Sequence, residues 1–182
     1  MRIVAIAVLI LFTACGTPGK MSRENLRPLL DTSEGVKMYD FQLSYGNNDV
    51  EGWLLVNKDS LDYQRFVLTS HIGMSLFDLE GIPGQYRIHY VVDFLDHKRA
   101  LDLLWNDFSI LFSPQIFKKT DFETNETGNI LLLETGNGPL KTVITAKDYE
   151  GGFPKSIHID HPRLRLSVLI KKPDNVEGSL LY

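Results

Sequence analysis

Residues Asp96–Phe112 read DHKRALDLLWNDFSILF. Leu101, Leu104, Trp105, Phe108, Leu111 and Phe112 recur at steps of 3, 1, 3, 3 and 1. That spacing puts all six on one stripe of an α-helix. Asp96 is suited to the N-cap, and Ser113-Pro114 ends the helix because proline cannot continue its hydrogen-bond ladder. This is the clear helix of the chain after its N-terminal region, and it carries the largest apolar face. Its neighbours on both sides must therefore supply a surface to cover that face.

Those neighbours alternate with a period of two. Upstream, Met38–Tyr45 places Tyr39, Phe41, Leu43 and Tyr45 on one face, and Gly46-Asn47-Asn48-Asp49 then turns the chain. Val50–Asn57, Gln64–Ile72, Met74–Leu79 and Tyr86–Phe94 follow as strands, the last with Tyr86, Ile88, Tyr90, Val92 and Phe94 on one face. Downstream, strands are expected at Phe117–Glu123, Asn129–Glu134, Lys141–Tyr149, Ser156–Asp160 and Arg163–Lys172. About ten strands with one helix after the fifth predict a mainly β (α+β) fold. One helix cannot cover both faces of so wide a sheet. A strongly curved antiparallel sheet, or half-open β-barrel, wrapped around the helix buries the stripe in its concavity.

The concave face then supplies the candidate pocket lining. From the strands come Trp53 and Leu55 (or Leu54 and Val56 in the opposite register), Phe66, Leu68, Phe77, Tyr90 and Val92. The helix adds Leu104, Trp105 and Phe108. A ligand pocket is mostly apolar with a few polar groups, but the same residues can pack together as a filled core.

The N-terminus bears on location. Arg2 precedes the apolar run Ile3–Phe12, which is too short to cross a bilayer as a helix and has the length of a signal-peptide core. Thr13 and Ala14 are small, and the protein's one cysteine, Cys15, follows at once. Phe12-Thr13-Ala14-Cys15 resembles a bacterial lipobox, with Phe12 where leucine is usual. The resemblance implies cleavage before Cys15, diacylation of its thiol, and membrane attachment through the two chains. Residues 1–14 are then a signal peptide, 15–35 the lipidated cysteine and a tether, 36–172 the domain and 173–182 a C-terminal tail. The alternative for residues 24–30 is a short helical turn packed on the domain. The residue after the cysteine is Gly16 rather than aspartate, and the following residues to Lys20 carry no acidic cluster. The periplasmic face of an outer membrane is the expected site.

Two further segments carry a resemblance at the level of the fold. Arg65–Leu68 through Gly73–Leu79 form a strand, a glycine and a strand. Phe153–Ile157 leads to the closing alternation Leu164–Ile170. Together with the helix Leu101–Phe112, they make residues 36–172 resemble the LolA/LolB-type lipoprotein carriers, or an uncharacterised lipoprotein family of the same half-barrel fold. The chain departs from those carriers in having no clear long first helix. The resemblance implies a half-open barrel that holds a lipid or lipoprotein acyl chain in its hollow, possible work in lipoprotein or lipid trafficking, and a monomer. The alternative is an interaction lipoprotein that uses the same half-barrel as a docking surface.

Composition and motifs narrow the other classes. The formal charge of −4 becomes −5 without Arg2, so no basic footprint for nucleic acid exists. With Cys15 committed to the anchor, no thiolate metal site or disulfide framework remains. His158 and Asp160 share a strand face, with Ile157 and Ile159 on the opposite, buried one, and His161 is expected to turn away before Pro162. His71 and His89 lie on strands, with Asp93 on the face of His89, and His97 in the first helical turn. No nucleophile elbow, phosphate loop or dinucleotide fingerprint occurs. No enzyme, cofactor or metal is expected.

Overall fold

A computed structural model describes residues 25–33, 35–46, 48–58, 63–117 and 120–173. Cys15, the signal peptide and the tail beyond residue 173 lie outside the described residues. Ten strands form one antiparallel sheet: β1 (Lys37–Tyr45), β2 (Asn48–Lys58), β3 (Gln64–Ser70), β4 (Ser75–Ile82), β5 (Gln85–Val91), β6 (Thr120–Thr124), β7 (Ile130–Thr135), β8 (Thr142–Glu150), β9 (Phe153–His161) and β10 (Leu166–Lys171). One helix, α1 (Lys98–Phe112), lies between β5 and β6. The expected fold class holds.

The order across the sheet is β5-β4-β3-β2-β1-β10-β9-β8-β7-β6. Two five-stranded meanders therefore meet at β1 and β10, with Phe41 opposite Ile170 and Leu43 opposite Val168. The edges β5 and β6 do not pair, so the barrel stays open there, and α1 joins one edge to the other.

The apolar stripe of α1 explains how the sheet wraps. Phe108 packs its ring against Phe66 of β3 at 4.8 Å, Phe77 of β4 at 6.0 Å and Phe41 of β1 at 6.3 Å. Trp105 and Phe112 meet the same Phe66 ring at 5.4 and 5.5 Å. Trp105 also donates its indole N–H to the Ile82 carbonyl at 3.2 Å. On the other half of the sheet, α1 reaches β8 and β9 through Asp107. A flat sheet could not touch one helix from β4 and β9 alike.

The segment before β1 joins this core. Leu26, Leu29 and Leu30 are buried, and the N–H groups of Leu29 and Leu30 both donate to the Leu111 carbonyl, at 2.7 and 3.3 Å. They occupy an acceptor in the last turn of α1, where backbone carbonyls lack intrahelical partners. The tether expected through residue 35 thus gives way to packed chain by Leu26.

Two expectations about strand faces are corrected. In β2, Leu54 and Val56 face the helix and are fully buried, while Trp53 is 36 % exposed on the outer face with Leu55 beside it. Gly52 decides this register: it shares the inner face with Leu54, and a Cβ there would lie 1.9 Å from the Thr69 carbonyl oxygen. In β5, Leu79 pairs with Ile88 but Asp78 pairs with Tyr90, leaving His89 as an extra residue. This bulge reverses the alternation. Tyr86 still faces Trp105, ring centroids 5.3 Å apart. Tyr90 turns outward, 49 % exposed, and Val91 takes the inward position opposite Phe77.

Candidate functional site

The concavity expected to be a pocket is occupied. Phe66, Leu68, Phe77, Leu104, Trp105 and Phe108 are all buried and pack together, with Val92 half-buried against them. Trp53, Leu55 and Tyr90 take no part. The Trp53 ring lies instead over His71, 5.2 Å between centroids, at the exposed β3–β4 end where Ile72 and Met74 also project.

Among the described residues, an open cleft lies on another side of α1. Arg99, Leu103, Asn106 and Ile110 recur at steps of 4, 3 and 4 along the helix, forming a second stripe on which Arg99 and Asn106 are exposed, Leu103 is half-buried and Ile110 is buried. Opposite it stand Thr135 and Gly136 at the end of β7, Leu140, Thr142 at the start of β8, and Phe117 after the helix. Together with Asp102 they enclose a cleft of about 600 Å³, within the size range of small-molecule sites. Gly136 shapes its wall. Its φ of +74° and the 2.3 Å that would separate a Cβ from the Leu140 carbonyl oxygen admit only glycine there.

Charge is distributed unevenly around this cleft. Lys98 reaches Asp102 with Nζ at 2.7 and 3.0 Å from its two oxygens, and the Tyr86 hydroxyl donates to Asp102 Oδ1 at 2.8 Å. The Lys98 contact, then the Tyr86 one, hold the Asp102 carboxyl below its usual range. Lys141, which does not line the cleft, pairs with Glu134 at 2.9 Å. Arg99 makes no ion pair or hydrogen bond among the described residues.

Thr142 links the cleft to a polar cluster inside the core. His161 Nε2 lies 2.7 Å from Asp107 Oδ2, and the Thr142 hydroxyl is 3.4 Å from His161 Nδ1 and 3.5 Å from Asp107 Oδ1. The side chains of His161 and Asp107 are 0 and 1 % exposed. Burial pushes the Asp107 carboxyl up, against the opposing pull of its His161 and Thr142 hydrogen bonds. With Asp107 accepting, His161 Nε2 carries the hydrogen, and the single Thr142 hydroxyl hydrogen is shared between Asp107 Oδ1 and His161 Nδ1. The cluster satisfies buried polar groups and pins α1 to β8 and β9.

His161 does not turn away before Pro162 as expected. β9 keeps its alternation through His161, which therefore joins Ile157 and Ile159 on the inner face. The signal for Asp107 was an acid placed between Leu104 and Leu111 within the apolar stripe. For Thr142 it was its parity with the buried Ile144 and Ala146. The other histidines stay at the surface. His158 pairs with Asp160 at 3.2 Å on the outer face. His89 meets Glu80 rather than Asp93. His97 replaces Asp96 as the N-cap of α1 and makes no side-chain cap bond. Among the described residues, no group of three or more His, Cys, Asp or Glu is placed to hold a metal, and no helix is long and apolar enough to cross a membrane. Neither protein-family models nor curated proteins give a match to this chain.

Proposed function

We propose that this protein is a lipoprotein anchored through Cys15 to the periplasmic face of an outer membrane, where its domain binds a lipid acyl chain. The binding place in this reading is the cleft along the second stripe of α1, because aromatic side chains fill the concavity of the sheet. The observation that supports it is the cleft of about 600 Å³ with Leu103, Ile110, Phe117 and Leu140 on its walls. Burying a chain there removes apolar surface from water at about 25 cal/mol per Å². The cleft lies between α1 and the segment joining β7 to β8, so loading does not require α1 to leave its aromatic core. The half-barrel layout, similar to that of the LolA/LolB-type carriers, agrees with this use.

A fatty acid bearing a photoreactive diazirine in its chain tests the reading on the full-length protein in membranes. Crosslinks concentrated on peptides containing Leu103, Ile110, Phe117 or Leu140 support it. No crosslink, or crosslinks spread evenly over the exposed surface, would sink it. The filled concavity favours a second reading, an interaction lipoprotein whose outer surface docks a protein. Trp53, Ile72 and Met74 at the β3–β4 end are then its apolar contacts, and the absence of acyl crosslinking is the outcome that reading expects.

A further inference from the structure

Resting on the acyl reading above, we infer that the cleft selects an anionic amphiphile: a single alkyl chain ending in a carboxylate or phosphate, with the anion held at Arg99. The cleft carries a cation at one end of its helical wall. Along α1 its wall runs from Arg99 through Leu103 and Asn106 to Ile110, about 16 Å at the rise of an α-helix. Phe117 and Leu140 supply apolar surface opposite. A chain lying in it would meet a guanidinium at the Arg99 end and the apolar side chains Leu103, Phe117 and Leu140 on its walls.

Electrostatics at the Arg99 end favour an anion for two independent reasons. The cleft holds one basic and one acidic side chain, Arg99 and Asp102. The acid is already balanced by Lys98 and hydrogen-bonded by Tyr86, whereas Arg99 has no counter-ion among the described residues. Its charge is therefore left over, on a chain whose formal net charge is −4. Secondly, Arg99 sits in the first turn of α1, which contains no acidic residue and whose N-cap makes no side-chain hydrogen bond. The helix dipole presents partial positive charge there and ordinarily attracts Asp or Glu. Arg99 and the helix terminus thus present positive charge together at this end of the cleft. Guanidinium is suited to the task, because its planar fork donates two parallel hydrogen bonds to a carboxylate or phosphate.

The test uses two photoreactive probes of equal chain length, one a fatty acid and one the corresponding primary alcohol. Both are applied to the full-length protein in membranes at mildly alkaline pH, where the acid is ionised. We expect the acid to label the cleft peptides about tenfold more than the alcohol, the effect of a charge-assisted hydrogen bond. Arg99→Gln should bring labelling by the acid down to the level of the alcohol in the same variant, and Arg99→Lys should keep part of the preference. Competition by a monoalkyl phosphate against a free long-chain fatty acid then tells which anion the site prefers. Equal labelling of the cleft by acid and alcohol, indifferent to Arg99→Gln, overturns the head-group inference and leaves the acyl reading standing. Failure of both probes to label the cleft overturns the acyl reading itself. Arg99 is exposed, so an unchanged thermal melt of Arg99→Gln separates loss of binding from loss of fold.

Discussion

Asp107 and His161 form a titratable pair out of reach of water, and removing either partner leaves the other buried and unpaired. We expect Asp107→Ala or His161→Ala to cost about 3–5 kcal/mol in chemical denaturation. Replacing both by leucine should cost well under the sum of the two single changes, a non-additivity that a double-mutant cycle measures. Asp107 also makes stability depend on pH. Burial raises the Asp107 carboxyl above its usual value. Between those two values the native state keeps a proton that the unfolded chain has lost. This contribution is therefore full in acid and declines as pH rises through the window up to the raised value. Asp107→Asn should flatten that part of the stability profile, and an unchanged slope would place the titration elsewhere. The chemistry of this pair was half legible in the sequence. Asp107 stands out as an acid within an apolar stripe, and His161 shares the parity of Ile157 and Ile159. Their meeting, across 54 positions of sequence, depends on where β9 lies against α1, and no local pattern encodes that.

Among the elements, α1 is read most directly from its spacing, and Phe108 is the ring of its stripe that meets the most strands. Phe108→Ala should cost about 3–5 kcal/mol, because rings from β1, β3 and β4 would face the resulting cavity. The two tryptophans report which face each element presents. Trp105 is 1 % exposed and Trp53 36 %. Iodide should therefore quench the Trp105→Phe variant, which retains Trp53, far more than the Trp53→Phe variant. Equal quenching would mean that the register of β2 is wrong. That register was left open by the sequence, since Trp53/Leu55 and Leu54/Val56 are both apolar alternations. Gly52 settles it by its close approach to Thr69. In β5 the sequence pattern misled for a different reason. Tyr86, Ile88, Tyr90, Val92 and Phe94 alternate without a break, but a bulge is a property of two strands, and the extra residue at His89 appears only when β5 is aligned with β4.

Across the whole molecule, ten strands around one helix could be anticipated from periodicity and turn residues, and so could the place of the helix after the fifth strand. The pairing of β1 with β10 could not, because it joins opposite ends of the domain and closing so long a loop carries no local signature. Native-state hydrogen exchange should rank the strands by their distance from that central pair. Backbone amides of β1 and β10 should exchange most slowly, and those of the edge strands β5 and β6 first. Uniform protection across the sheet would contradict this ordering. The same central pairing sets how the molecule answers force. β1 begins where β10 ends, with Asp40 opposite Lys171, so the chain enters and leaves the sheet side by side. A load applied across those two points pulls along the direction of the inter-strand hydrogen bonds. It opens them singly, like a zipper, instead of shearing them together. Stretched this way in an optical trap, the domain should yield at low force and part first between its two meanders.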